Sequence, residues 1–143
     1  MIKKICLTLL LSLFLINTSH SKENFFEEAK KLFDEEKFEE SKFLFQRNIV
    51  YNPKDSKSYL YLAKIFKKEE DKSEEEKNIK SSLLLDPKNE EAMYLLIDME
   101  LERSNFSKAE ELKKNFEIIC SDMCEKITSI ESRLKAFEKE NAS

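Results

Sequence analysis

The chain has 143 residues, 38% charged and 10% aromatic, with a formal net charge of −4 and no glycine or tryptophan. That balance does not favour nucleic acid, whose binding draws on clustered Lys and Arg. Phosphate-cradling loops and nucleophile elbows use glycine for close backbone approach, and a Ser-His or Cys-His couple needs a histidine, of which His20 is the only one.

Lys3 and Lys4 precede an apolar run, Ile5 to Ile16, broken only by Thr8 and Ser12, and Ser19 and Ser21 follow at small-x-small spacing. This is the layout of a secretory signal peptide. Residues 1–21 are expected to be removed after Ser21, taking His20 and Cys6 with them and leaving a more acidic, periplasmic or secreted chain without stable membrane insertion. The alternative is an uncleaved anchor, against which the run is shorter than the ~20 apolar residues of a spanning helix. Without glycine or histidine the exported chain is expected to be no enzyme and to use no cofactor.

Helical periodicity covers the rest, and no segment alternates like a strand. The spacing predicts helices at about 23–35, 39–51, 56–69, 73–85, 90–103, 107–119 and 122–139. Asn52-Pro53 and Asp86-Pro87 end the second and fourth, because proline disfavours helical geometry in the residue before it. Asp55 or Ser56, Ser73 and Asn89 suit N-caps of the helices that follow. Short connections make successive helices antiparallel. The charge run Lys67 to Lys77 reads as a solvated turn, since it has no glycine for a calcium loop.

Pro53 and Pro87 lie 34 residues apart, and each closes a similar stretch. The first carries Phe25, Ala29, Leu32, Phe38, Ser41 and Phe45; the second carries Tyr59, Leu62, Ala63, Phe66, Ile79 and Ser82. A fixed period of this size marks stacked helical repeats, whose units cannot bury their apolar faces alone.

Aligned on these prolines, the chain resembles the tetratricopeptide repeat family. Units would run Lys22–Asp55, Ser56–Asn89 and, in degenerate form, Glu90 to about Met123, so that residues 22–121 form the repeat domain. Ala29 and Ala63 fill the small position late in the first helix. Ser41 fills the one early in the second helix, where the second unit has Glu75. Met93, Leu96, Phe106 and Ala109 fit the third unit, while Ile97 replaces the small residue, Glu100 replaces an apolar one and the closing proline is missing.

The resemblance implies an all-α fold, an α-α superhelix of about three helix pairs. It further implies a non-enzymatic interaction module that binds a peptide or protein in its concave groove. Carried over residue by residue, the groove positions are Glu23, Phe26, Lys30 and Phe33, then Lys57, Leu60, Lys64 and Lys67, then Glu91, Tyr94, Asp98 and Leu101. Aromatic anchors beside lysines suit an extended or helical peptide of some acidic character. The alternative is that these side chains pack on one another or on the last helix.

Residues 122–143 are expected to form a capping helix and short tail. Met123, Ile127, Ile130, Leu134 and Phe137 make one apolar stripe, with Glu125, Lys126, Glu131, Arg133 and Lys135 on the other faces. It would cover the end of the array, or serve as a docking helix or dimer seam. Asp122 with Glu125 reads as its capping pair. Cys120 and Cys124 bracket Ser-Asp-Met, and in an oxidising compartment they most simply form one disulfide. Two other readings stand beside it. The C-x-x-x-C pair with Met123 resembles the copper site of Sco-type assembly proteins, though no histidine completes it, and thiol redox work more often uses C-x-x-C. The leading expectation is a periplasmic adaptor or scaffold in cell-envelope assembly; the second is a copper- or thiol-handling assembly factor acting through Cys120 and Cys124.

Overall fold

The computed structural model describes residues 25–141, so the signal segment 1–21 and Glu23 lie outside it, as does the side chain of Phe137. Glu36, Glu70 and Ser104 hold φ values of 59°, 59° and 58°, and they stand 34 residues apart. Each closes the first helix of a pair. The N–H of the following residue reaches back to the helix, Lys37 to the Leu32 carbonyl at 2.9 Å, Asp71 to Phe66 at 3.0 Å and Asn105 to Glu100 at 2.8 Å. This double back-bonding through a left-handed residue normally uses glycine. With no glycine in the chain, two glutamates and a serine take the strained conformation, at about 1–2 kcal/mol each.

These turns divide the chain into antiparallel pairs. The first is α1 (Phe25–Asp34) with α2 (Phe38–Tyr51), the second α3 (Ser56–Lys68) with α4 (Lys72–Leu85), the third α5 (Glu90–Glu102) with α6 (Phe106–Ile119). A seventh helix, α7 (Lys126–Asn141), follows. The described residues contain no strand. Each helix packs on the next, from α1 through α6, and α7 lies on both α5 and α6. Expected helix ends fall close to the observed ones, with two informative shifts.

The second helix of each pair begins one residue earlier than periodicity suggested, because the left-handed residue completes the turn so quickly. Asp71, not Ser73, therefore caps α4, accepting the Glu74 N–H at 3.1 Å. Asn89 caps α5 as expected, accepting from Ala92 at 2.9 Å. Asp55 stands at the N-cap of α3, but its carboxylate takes the Asn48 amide and the Ser58 hydroxyl, both at 2.7 Å. That polar knot ties α2 to α3 across the proline turn.

α7 begins at Lys126 rather than at 122, and the Asp122–Glu125 capping pair gives way to a different arrangement. The Glu90 carboxylate at the head of α5 accepts the N–H groups of Ser121 (2.8 Å), Asp122 (3.1 Å) and Met123 (2.8 Å), and the Ser121 hydroxyl (2.7 Å). The Lys126 and Ile127 N–H groups then reach back to the Met123 and Cys124 carbonyls at 2.9 and 3.1 Å, a turn that leads into α7. Cys124 lies in the turn that follows.

Two apolar clusters form the interior. The N-terminal one joins Ala29, Phe45, Leu62, Ile65 and Phe66 to Phe26, Phe33, Phe38 and Tyr61. The C-terminal one is mainly aliphatic, built on Ile79, Leu96, Ile97, Met99, Leu112 and Ile130, with Phe116 at its centre. Small residues let paired helices approach. Ala29 and Ala63 are fully buried, and the Ser41 hydroxyl donates to the Ala29 carbonyl at 2.8 Å. Glu75, at the position equivalent to Ser41, is 1% exposed with Lys72 Nζ 3.3 Å away.

Candidate partner-binding groove

Side-chain contacts join the first helices of the pairs in a row: α1 to α3, α3 to α5, and α5 to α7. At the α1–α3 step the contacts are aromatic and centre on Tyr61. Its ring stacks on Phe45 at 4.9 Å and meets the edges of Phe33 at 5.0 Å and Phe26 at 5.8 Å. Phe26 also meets Phe45 at 5.7 Å, and Phe33 meets Phe38 at 5.5 Å. The Lys64 ammonium lies 4.9 Å from the Tyr61 ring centre and 5.3 Å from that of Phe33. Each such aromatic contact adds about 0.5–1.5 kcal/mol beyond burial, and an exposed cation–π pair about 0.5–1 kcal/mol.

At the α3–α5 and α5–α7 steps the contacts are ionic. Lys64 pairs with Glu91 at 2.8 Å. Lys67 pairs with Asp98, and lies 3.8 Å from Glu102. Arg133 reaches from α7 to the other Asp98 oxygen at 2.6 Å. Burial by itself would raise the Asp98 carboxyl, but the hydrogen bonds from Lys67 and Arg133 outweigh it and hold the group below its ordinary value. The last helix thus adds a cation to a position the repeat pattern assigns to the groove.

The expected groove residues divide accordingly. Phe26, Phe33 and Lys64 gather around Tyr61, and Lys67 and Asp98 meet directly. Lys30 lies half-buried and pairs with Asp34 on its own helix at 2.8 Å, which raises the ammonium above its usual value. Leu60 and Leu101 are buried, Leu101 within the C-terminal cluster. Tyr94 turns toward Phe116, centroids 6.4 Å apart, with Lys126 5.9 Å from its ring. Lys57 is exposed.

Two residues central to this face, Tyr61 and Arg133, were not among the sequence expectations. Tyr61 lies one turn before Lys64 on α3, and that i, i+3 spacing was the available signal. Arg133 sits on a helix the repeat register does not cover, so nothing in the pattern pointed to Asp98.

Beside this face, the Cys120 and Cys124 sulfurs lie at bonding distance, 2.08 Å, with Cα atoms 5.3 Å apart. Glu90 holds the loop between them. The Ser121 hydroxyl, and then the N–H groups of Met123, Ser121 and Asp122, keep the Glu90 carboxyl below its ordinary value. Met123 packs against the C-terminal cluster. Among the described residues no group of three or more His, Cys, Asp or Glu is placed to hold a metal, and no helix is long and apolar enough to cross a membrane.

No protein-family model matches the chain, and no curated protein matches it in sequence. Solved structures do. The chain superposes on the type III secretion translocator chaperone SycD of Yersinia enterocolitica with a TM-score of 0.72, covering 93% of this chain and 94% of SycD at 16% identity. The chain has the SycD fold. A second structure, SycD in complex with a peptide of the translocator YopD, gives a TM-score of 0.71 over 87% of this chain and 97% of SycD, at 17% identity. Likeness to SycD at these identities is one of fold alone, all-helical with consecutive helix pairs packed on one another.

Proposed function

We propose that the chain is an exported, non-enzymatic adaptor of the tetratricopeptide-repeat type, which holds a peptide segment of a protein partner in the face formed by α1 and α3. The carrying observation is the half-buried set of Phe26, Phe33 and Tyr61, which leaves ring surface accessible, with Lys64, already paired to Glu91, at its edge. Such a surface takes apolar side chains of a peptide. Similarity in fold to a chaperone solved with a peptide of its translocator supports a peptide ligand. The setting is the periplasm or cell exterior, resting on the basic start, apolar run and Ser19-x-Ser21 of the leader.

In that compartment Cys120 and Cys124 form a structural disulfide that braces the link between α6 and α7. The loop is short, so its entropic contribution is small, on the order of 1–2 kcal/mol. This reading is preferred to copper handling because Met123, the nearest soft donor, packs into the C-terminal core.

Site-directed photocrosslinking tests the groove. A crosslinking side chain at Lys30 or Lys64 is expected to capture a partner in envelope extracts, and one at the exposed Lys135 on α7 is not. Adducts only from Lys135 would overturn the assignment. Mass spectrometry of the exported protein tests the bridge: a mass two hydrogens below the reduced chain is expected, and bound copper on free thiols would reverse the preference.

A further inference from the structure

Between α1 and α2 lies an open cleft of about 500 Å³, lined by Glu28 and Leu32 of α1 and by Glu39, Glu40, Phe43 and Leu44 of α2. Glu28 and Leu32 sit across α1 from Phe26, Lys30 and Phe33, so the cleft is separate from the α1–α3 groove and neither reading depends on the other. The residues equivalent to Glu28 and Leu32 in the later pairs are Leu62 and Phe66, then Leu96 and Glu100, and all four are buried. In the first pair Glu28 is exposed and Leu32 half-buried, so this face is open there alone.

The floor of the cleft departs from the repeat as well. In the second and third pairs the positions of Glu40 and Phe43 hold an ion pair, Glu74 with Lys77 at 2.9 Å and Lys108 with Glu111 at 2.8 Å. Such i, i+3 pairs suit a solvated helix face. In the first pair a ring stands where a partner for Glu40 would be, and Phe43 is 60% exposed. Among the described residues neither the Glu28 nor the Glu40 carboxylate has an ion pair or hydrogen bond, while Glu39 is held by Lys42 at 3.0 Å. Lys37, which feels the charge of Glu40, is itself bonded to Glu35 at 2.7 Å. One exposed ring needs no explanation; a ring that displaces an ion-pair partner, beside two unpaired carboxylates in one cleft, does.

We propose that this cleft docks a basic segment of a partner protein, in which an Arg or Lys lies next to an apolar side chain. The apolar side chain packs on Leu32, Phe43 and Leu44, and the cation stands against Glu40 as Lys77 stands against Glu74. A long basic stem laid over the Phe43 ring brings its head to the carboxylate and adds a cation–π contact. Charge selects the occupant. Three carboxylates line the cleft and only one has a cation of its own, so an anionic lipid surface or a nucleic acid is repelled and a basic chain is drawn in. A second copy of this chain, with a net charge of −4, is repelled overall. The leader's Lys3 and Lys4 also precede an apolar run, but on the export reading they leave with it.

Fluorescence anisotropy with a short labelled peptide of alternating leucine and lysine tests the cleft, with saturable binding expected at about 10–100 µM. Phe43→Lys gives Glu40 the neighbour that Glu74 has and should weaken binding about tenfold with helicity unchanged. Glu40→Gln should weaken it about threefold. Glu111→Gln removes the same charge at the position equivalent to Phe43 and should leave binding unchanged. No binding at about 1 mM, equal binding of a leucine–glutamate peptide, a loss at Glu111→Gln as large as at Glu40→Gln, or no loss at Phe43→Lys would overturn the proposal. A photocrosslinking side chain at Phe43 of the full chain is expected to join the leucine–lysine peptide. Adducts to residues 1–24 or to a second copy instead would overturn it too, and assign the cleft to the leader or to self-association.

Discussion

The two ends of the inner row are built from the same repeat and do different things. Between α1 and α3 the facing residues are rings, and Tyr61 touches three of them. From α3 onward the facing residues are charges that pair with one another, ending at Arg133 on Asp98. A face of satisfied ion pairs offers little to a newcomer, which would have to break them. A face of half-buried rings still gains by losing water. The same structural position can therefore bind at one end of an array and cohere at the other, depending only on whether its neighbours have already satisfied it.

The largest expected effect tests the aromatic end. Tyr61→Ala removes the ring shared by α1, α2 and α3 and should cost about 3–5 kcal/mol in urea unfolding, whereas Tyr94→Ala, with one tilted ring neighbour, should cost clearly less. Equal losses would erase the distinction between the two ends.

A smaller effect tests the ionic end. Asp98→Asn leaves Lys67 and Arg133 without their shared acceptor and should cost about 1–2 kcal/mol at neutral pH, a value reduced by partial solvent screening. The folded Asp98 carboxyl lies below its ordinary value of 3.8, so its contribution is complete well above that pH. It is lost as pH falls below about 4 through the lower folded value, and the stability gap between wild type and Asp98→Asn should close in acid. A gap that widened there would contradict the assignment of Lys67 and Arg133 as partners.

The smallest effect concerns what both ends share. Glu36→Asn and Ser104→Asn place the non-glycine residue best suited to positive φ in the turns of the first and third pairs. Each should raise stability by about 0.5 kcal/mol, and by similar amounts, because the backbone turn is the same although the side chains around it differ. A gain at one end alone would mean the turns are not equivalent.

Much of the architecture was readable before any coordinates. The prolines end their helices for reasons local to one dipeptide, and the apolar spacing that places Ala29, Ala63 and Ala109 against partner helices is local to each unit. The left-handed turns were not readable, because the residue type that usually announces them is absent and Glu36, Glu70 and Ser104 give no compositional sign. The start of α7 was misplaced for a different reason: Asp122 and Glu125 have a capping pattern, but Glu90, about thirty residues earlier, takes the Asp122 N–H that the Glu125 side chain would accept in it.

The groove followed the same division. Its positions could be counted off the repeat, but not their occupancy. Sequence alone determined that this chain folds as helix pairs of fixed length, since helix formation, termination and amphipathic spacing act over a few residues. Tertiary structure alone decided which groove side chains satisfy each other, and that Tyr61 and Arg133 belong to that face. Those outcomes depend on contacts between residues roughly one repeat apart, whose strength is set by distance and burial that no local pattern encodes.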